Sequence, residues 1–333
     1  MSEKKRESNI EFTVIIPCYK NFDLLEKCVA SIPDVQNIEV LIVDDASPQE
    51  DFEEFKRKIS ERKNIRIFRN DENHGAGYCR NFALKQVSEN TSAKKHWIVF
   101  SDSDDFFTEN AFTTFERYKH SSAEIIYFDV EFRDYRQTKD LYYEIYSTRR
   151  NNAINKFLAK GKSKYLRVRA WEPWAKMFSK DFIKKNDLTF HEIECMNDAF
   201  FGVNAGLSPK TIEASKEKVY VYNIFDNSGC RSSTLERDLT RLNEYCLLNK
   251  LYFSHKGYAF YLHDVLQIGF AILRKYGFKN TKAVFAVFQK NGWLSVAIGF
   301  YCVHFVYRLL TFIPRRIARK IHRRLSSSFV RQP

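Results

Sequence analysis

The chain has 333 residues, room for one large domain or for a core with an appended region. With 44% hydrophobic and 29% charged residues it can bury a sizeable core, which excludes an intrinsically disordered protein; 11 Gly and 7 Pro exclude collagen-like and Gly/Pro-rich low-complexity classes. The formal net charge is +13, but Arg315, Arg316, Arg319, Lys320, Arg323, Arg324 and Arg331 lie in an acid-free stretch, so much of the excess belongs to the tail.

The seven cysteines are odd in number, scattered and never spaced C-x-x-C, so neither a disulfide framework nor a structural zinc site is expected, and a reducing cytoplasm is the natural setting. The start, Met1 to Glu7, is charged and no apolar run follows it, so no secretory signal is expected.

In chain order, Phe12 to Pro17 is a β-branched strand, and Asn21 is placed to cap a helix running through Leu24, Leu25, Cys28, Val29 and Ile32. Ile38 to Val43 is a second strand ending in Asp44-Asp45. A charged helix near 49–62, a strand at 65–68, a helix at 77–87, a strand at 97–100, a helix near 108–119 and a strand at 124–132 follow. Strand–helix alternation with near-continuously apolar strands predicts an α/β fold, a mostly parallel sheet with helices on both faces. Ligands of such sheets bind beyond the carboxyl ends of the strands. Here those ends carry Pro17-Cys18-Tyr19, Asp44-Asp45 and Ser101-Asp102-Ser103-Asp104-Asp105. Past residue 134 the rhythm changes to a polar stretch from Tyr135 to Asn155, then Trp171 to Lys176, Phe190 to Phe201, a short strand pair near 210–223, and helices.

Three clusters carry chemistry. Alternating carboxylates in Asp102-Ser103-Asp104, at a strand end, suit a hard divalent cation such as Mg²⁺ or Mn²⁺, usually held by one or two carboxylates plus substrate phosphates. Asp44 and Asp45 can accept from a base N–H or a ribose hydroxyl. Asn73-His74-Gly75-Ala76-Gly77 opens a helix whose N-terminus favours anions, and Arg80 can pair with phosphate. The other readings of these groups are a solvated turn for the D-x-D and a structural ion pair for Arg80.

Together these pieces resemble the GT-A fold of family 2 glycosyltransferases. The matching segments are Val14 to Asn21, Leu41 to Ser47, Asn73-x-Gly75-Ala76, Arg80-Asn81 and Phe100 to Asp105, in the family's order and spacing. The resemblance implies that Pro17, Tyr19, Asn21, Asp44, Asp45, Ser47, Asn73, Gly75 and Arg80 bind the nucleotide half of an activated sugar. It places Asp104 on the metal, with Asp102 beside it on the metal or the ribose. Trp174-x-Lys176-x-Phe178 is similar to the family's W-x-K segment, and Phe190 to Asp198 to the segment that carries the catalytic base. The base position falls on Asp198, with Glu194 as its local competitor and Glu192, Trp174 and Lys176 toward the acceptor; Ile193 and Asn197 depart from the family pattern. Asp198 is also a candidate helix N-cap. The loop from Ser228 to Ser233, with Arg231, resembles one that closes over donor phosphates.

The resemblance implies an inverting, metal-dependent transferase moving a hexosyl or N-acetylhexosaminyl group from a nucleotide-sugar, a UDP-sugar by family likeness, to a saccharide. Residues 1–133 would form the donor half, 134–235 the acceptor and catalytic half, and 236–333 a helical extension. Trp293 to Ile313 is 21 residues of mainly apolar character, but Arg308 and His304 interrupt it, so a membrane span is not expected. Ile313, Ile317, Ile321 and Leu325 recur among arginines as a basic amphipathic helix suited to an anionic membrane surface. That tail fits a peripheral enzyme on the inner face of the cytoplasmic membrane, with a lipid-linked saccharide acceptor, in bacterial capsule, lipopolysaccharide or O-antigen synthesis. A sugar nucleotidyltransferase would carry a Gly-rich loop after the first strand, and Pro17 to Asn21 has no glycine. A nucleic-acid partner would need basic charge spread over a folded face, so none is expected. Asn197 leaves open a catalytically inactive binding or assembly module.

Overall fold

The computed structural model describes residues 9–88, 93–137, 141–226 and 233–299, with the side chains of 141–143 left aside. Strands β1 (Phe12–Cys18), β2 (Ile38–Asp44), β3 (Ile65–Arg69) and β4 (Trp97–Phe100) alternate with helices α1 (Phe22–Ala30), α2 (Gln49–Lys58) and α3 (Ala76–Gln86). β5 (Phe106–Phe107), α4 (Ala111–Tyr118), β6 (Ile125–Asp134), α5 (Leu141–Lys160), α6 (Ser163–Arg169), β7 (Lys176–Ser179), α7 (Lys180–Lys185), α8 (Ala199–Leu207) and β8 (Ile212–Ile224) follow. Helices α9 (Leu235–Ser254), α10 (Val265–Tyr276) and α11 (Thr281–Asn291) close the described chain.

All eight strands form one sheet in the order β3-β2-β1-β4-β7-β6-β8-β5. β3, β2, β1 and β4 run parallel, as does β6 with β8, whereas β7 is antiparallel to both β4 and β6, and β5 is antiparallel to β8. Every residue of β1, β2 and β4 is buried, the pattern of strands covered on both faces. One apolar layer gathers Val14, Ile16, Val40, Ile42 and Phe115; the opposite layer gathers Ile15, Leu41, Val43, Phe100 and Phe201. The expected mostly parallel α/β sheet with helices on both faces is therefore the observed one, and the helical C-terminal region is present.

Three local expectations are corrected. The polar stretch 135–155 holds most of α5, whose buried positions include Arg150 as well as Ala153 and Ile154, so its inward stripe does not read as apolar. The strand pair near 210–223 is the single long strand β8. Its charged Lys216-Glu217-Lys218 sits where the β6–β8 register shifts, and the Ser215 hydroxyl accepts the Glu217 N–H at 3.2 Å, absorbing the extra residues as a bulge. Asn21 stands at the N-cap of α1 in a left-handed conformation (φ 55°), and its side chain makes no capping bond; its carbonyl accepts from Leu24 and Leu25 instead.

α9, α10 and α11 share their own apolar cluster (Leu242, Cys246, Leu273, Val284, Phe288), and α9 joins the sheet domain through Leu248 and Tyr252 against Val168 and Val203. Helix α8 passes so close to Trp171 that a Cβ added at Gly202 would stand 1.6 Å from the Trp171 carbonyl oxygen. Gly202→Ala is expected to cost at least about 1–3 kcal/mol by overpacking backbone against backbone, read as a lowered urea midpoint; an unchanged midpoint would show that the contact yields freely.

Candidate active site

The parallel strands of the first half deliver their carboxyl ends to one cleft of about 380 Å³. Its walls include Pro17 at the end of β1, Tyr19 and Asn21 after it, Asp45 after β2, Arg80 on α3, Asp102 and Asp104 after β4, and Asp198 at the head of α8. Chain separations exceeding 180 residues thus collapse to one surface.

Asp44 and Ser47 stand behind this wall. Both are buried: Asp44 receives the Ser47 hydroxyl, the Ser47 N–H at 3.2 Å and Arg69 Nη1 at 2.7 Å, while Ser47 Oγ accepts the Lys20 N–H at 2.7 Å. Their work is to brace the β1 and β2 loops against each other. Asp45 faces the cleft and organises the segment before α3. Its carboxylate accepts from Asn70 Nδ2 (2.8 Å), the His74 N–H (3.0 Å) and the Gly75 N–H (2.7 Å), and Asn73 Nδ2 reaches its carbonyl at 3.2 Å. Gly75 at φ 86° makes the turn into α3. Gly77 lets α3 abut the loop before α8, since a Cβ there would lie 2.1 Å from the His191 carbonyl oxygen.

Arg80 is buried and bridges the two halves: Nη2 donates to Asp102 Oδ1 at 2.5 Å and Nη1 to Asn197 Oδ1 at 2.9 Å, with the guanidinium over the Phe190 ring. The neighbouring Asn81 clamps the same loop, donating to the Phe190 carbonyl and to Glu192 Oε1, both at 2.9 Å, and accepting the Phe190 N–H at 2.8 Å.

The acidic loop is crowded. Asp105 is buried, and burial together with the charges of Asp104 and Asp102 holds its carboxyl well above the usual range. Tyr220 from β8 donates its hydroxyl to Asp105 Oδ2 at 2.9 Å, and the Asn223 N–H donates to Oδ1 at 2.7 Å. The same Tyr220 oxygen accepts the Asp102 N–H at 2.9 Å, and Asn223 Nδ2 donates to the Asp104 carbonyl at 2.8 Å. Asp104 is pushed up to about 6, chiefly by burial and then by Asp102. Two carboxylates that face one cleft and repel each other fit a divalent cation, whose charge would relieve both.

Asp198 occupies the N-cap position of α8, but its side chain makes no capping bond. Burial raises its carboxyl pKa against the opposing pull of Arg80. Glu192 does not line the cleft. Trp174 and Lys176 do not line it either; Trp174 stacks on Tyr220 and Tyr222 (5.4 and 5.2 Å), supporting β8 from beneath. Lys176 is buried, brought down to about 7 by burial, and donates to the Glu172 carbonyl.

Tyr222, and Arg237 and Arg241 on α9, line the cleft from outside every motif, and Glu194 and Met196 of the base segment line it too. Arg237 Nη1 lies 3.0 Å from Glu194 Oε1 and Arg241 Nη1 2.6 Å from Asp238 Oδ1. Their i,i+4 spacing puts both arginines on one helix face, a signal present in Leu235 to Arg241. Of the loop at 228–233 with Arg231, positions 228–232 lie outside the described residues.

A sheet of this order with an acidic strand-end loop, an arginine and a second-half carboxylate in one cleft defines a GT-A sugar-nucleotide fold. The model of the glycosyl transferase family 2 matches residues 13–184, more than half of the chain. The chain belongs to that family. Over 116 residues it is 29% identical to the uncharacterized glycosyltransferase MG060 of Mycoplasma genitalium, covering 33% of this chain and 37% of that protein. Over 109 residues it is 36% identical to the minor teichoic acid biosynthesis protein GgaA of Bacillus subtilis, covering 30% of this chain and 23% of that one. The matches thus span 37% and 23% of these two relatives' length. Among solved structures, S. aureus TarS 1–349 in complex with UDP-GlcNAc shares the fold at TM-score 0.60 and 18% identity, over 84% of this chain and 80% of TarS 1–349. The mannosyltransferase PcManGT from Pyrobaculum calidifontis, in complex with GDP-Man and Mn²⁺, shares it at TM-score 0.50 and 14% identity, over 96% and 86% of the two chains.

Two outcomes follow for the acidic loop. Since the fold favours the acid form of Asp104, its ionisation costs stability, and the loss builds as pH rises from the ordinary value of 3.8 through about 6. Asp104→Asn is therefore expected to raise Tm at pH 7 by about 2 °C or more in metal-free buffer; a lower Tm at pH 7 would contradict this account. Tyr220→Phe strips Asp105 of a donor and is expected to cost about 1–3 kcal/mol, measured by chemical denaturation.

Proposed function

We propose that the chain is an inverting glycosyltransferase that moves a hexosyl or N-acetylhexosaminyl group from a nucleoside diphosphate sugar to a hydroxyl of a saccharide acceptor. The observation that carries this reading is the convergence of Asp102, Asp104, Arg80 and Asp198 on one cleft. The acceptor oxygen forms a bond to the anomeric carbon as the bond from that carbon to the diphosphate oxygen breaks. Asp198 takes the acceptor proton, and the nucleoside diphosphate leaves with the electron pair. Direct displacement by the acceptor oxygen, with Asp198 as base, inverts the anomeric configuration.

Arg80 and the N-terminus of α3 face the negative charge gathering on the leaving group. Asp104 and Asp102 would hold Mn²⁺ or Mg²⁺ against the diphosphate, and the ion when bound supplies Lewis-acid neutralisation of that charge. Among the described residues no group of three or more His, Cys, Asp or Glu is placed to cage an ion alone, which is in keeping with an ion that completes its shell from substrate. Pro17, Tyr19, Asn21 and Asp45 shape the nucleotide end, with Asp44, Ser47, Asn73 and Gly75 holding those loops in place. Trp174, Lys176 and Glu192 act on the acceptor side through the loops they brace.

The division of labour follows the chain: donor half 1–133, acceptor and base half 134–235, helical extension 236–333. The UDP-GlcNAc complex of TarS supports a UDP-sugar donor, and the name of GgaA supports an acceptor in bacterial surface-polymer synthesis, lipid-linked in this reading. None of the described helices is long and apolar enough to cross a membrane. The basic tail at 313–325, which lies outside the described residues, would hold the enzyme to the inner face of the cytoplasmic membrane.

Release of nucleoside diphosphate from a panel of sugar nucleotides, with Mn²⁺ or Mg²⁺ and with EDTA, is the test. One donor should be turned over in a metal-dependent way, and Asp104→Ala should abolish it. Asp198→Asn should lower transfer by about 10²–10⁴-fold while donor affinity stays near that of the parent; full turnover by Asp198→Asn would remove the base assignment, and no binding of any donor would leave an inactive module as the better reading.

A further inference from the structure

A second cavity, of about 240 Å³, adjoins the cleft. The turn at the head of α8 separates the two: Asp198 faces the cleft, Ala199 faces the second cavity, and Met196 borders both. Its other walls come from α5, the end of α6 and α9, and they carry three arginines, Arg149, Arg150 and Arg169.

Two of these cations are not consumed by the fold, and the third is only partly so. Arg149 and Arg169 are exposed at the rim, and neither has a carboxylate partner among the described residues; Arg169 lies over the rings of Tyr165 and Tyr261, both at 5.8 Å. Arg150 is fully buried. Its Nη1 donates to the Phe128 carbonyl at 2.7 Å, its Nε stands 3.6 Å from Glu172 Oε2, and its Nη2 has no hydrogen-bond partner. His263 adds no charge, because burial and Arg169 lower its pKa to about 4. Trp171, Tyr245 and Tyr252 supply flat apolar surface beside the arginines.

We propose that this cavity seats an acidic sugar of the acceptor, one bearing a phosphate or a carboxylate, and so presents the reacting hydroxyl to Asp198. The proposal rests on the transferase reading and names its acceptor class. Guanidinium forks pair with phosphate and carboxylate oxygens two at a time. Aromatic faces take the apolar side of a sugar ring, the usual makeup of a saccharide pocket.

Titration calorimetry of the full chain tests it, with glucose 6-phosphate, glucuronate and glucose as probes in the presence of Mn²⁺ and saturating UDP. At least one charged sugar is expected to bind where glucose does not, and the stronger of the two identifies the anion. The double variant Arg149→Gln/Arg169→Gln, on exposed positions, should weaken that binding by about tenfold or more and leave UDP affinity unchanged. Equal binding in the variant, equal binding of glucose, or displacement of UDP by the charged sugar would overturn the proposal. Failure of UDP to bind while the charged sugar still binds would overturn the donor reading alone.

Discussion

Arg80 is the constraint on which the site depends. One buried guanidinium holds Asp102, at the end of β4, and Asn197, in the loop before α8, residues 95 positions apart in sequence. Without it Asp102 would lose the cation it pairs with, and the loop that carries Asp198 would lose a tie to the donor half. Removing one member of a buried charged pair typically costs about 3–5 kcal/mol because the partner is left uncompensated. Gly77, about one turn before, and Asn81, the next residue, secure the same junction by steric fit and by hydrogen bonds to Phe190 and Glu192. The junction is therefore built three times over within one turn and a half of α3.

The second constraint is electrostatic. Asp102, Asp104 and Asp105 crowd one loop, and β8 makes that tolerable by giving Asp105 a hydroxyl and a backbone N–H. Tyr220 is in turn held flat against Trp174, at 8° between ring planes. This gives the Trp-x-Lys segment a role without any contact to the cleft: it fixes the strand that fixes the acidic loop. Lys176 and Glu172, both brought to about 7 by burial, sit beneath as a mutually compensating pair and not as a source of charge in the cleft.

The first half of the fold was legible because its strands are uniformly apolar and its strand ends are acidic, so periodicity and position point to the same place. Asp45, Asp102 and Asp104 were found that way, and they meet Arg80 of α3 in the cleft. Asp44 shares the motif of Asp45 but faces inward, because successive side chains of a strand point to opposite sides, and Ser47 turns back past Ala46 to bond with it. The second half was less legible for a physical reason. α5 buries an arginine, β8 carries three charged residues through a bulge, and the cleft arginines of α9 belong to a helix whose approach is set by contacts with α8. Tertiary placement of charged groups leaves no apolar period to read.

Backbone strain shows the same division between scaffold and site. Among the described residues, six non-glycine positions have positive φ: Lys20, Asn21, Ala46, Ala175, Asp187 and Met196. Four of them, Lys20, Asn21, Ala46 and Met196, adjoin or line the cleft beside Tyr19, Asp45 and Asp198. A side chain in that region costs about 1–2 kcal/mol per residue, and such strain persists only where the surroundings over-determine it. Here the surroundings do so visibly. Ser47 Oγ holds the Lys20 N–H, Asp45 gathers the segment before α3, and the Met196 carbonyl accepts the Ala199 N–H at 3.1 Å. Met196 is the position where this matters most. A relaxed backbone there would rotate Asp198 relative to Met196 and Ala199, and the turn would no longer set a carboxylate in the cleft beside the arginine-lined cavity.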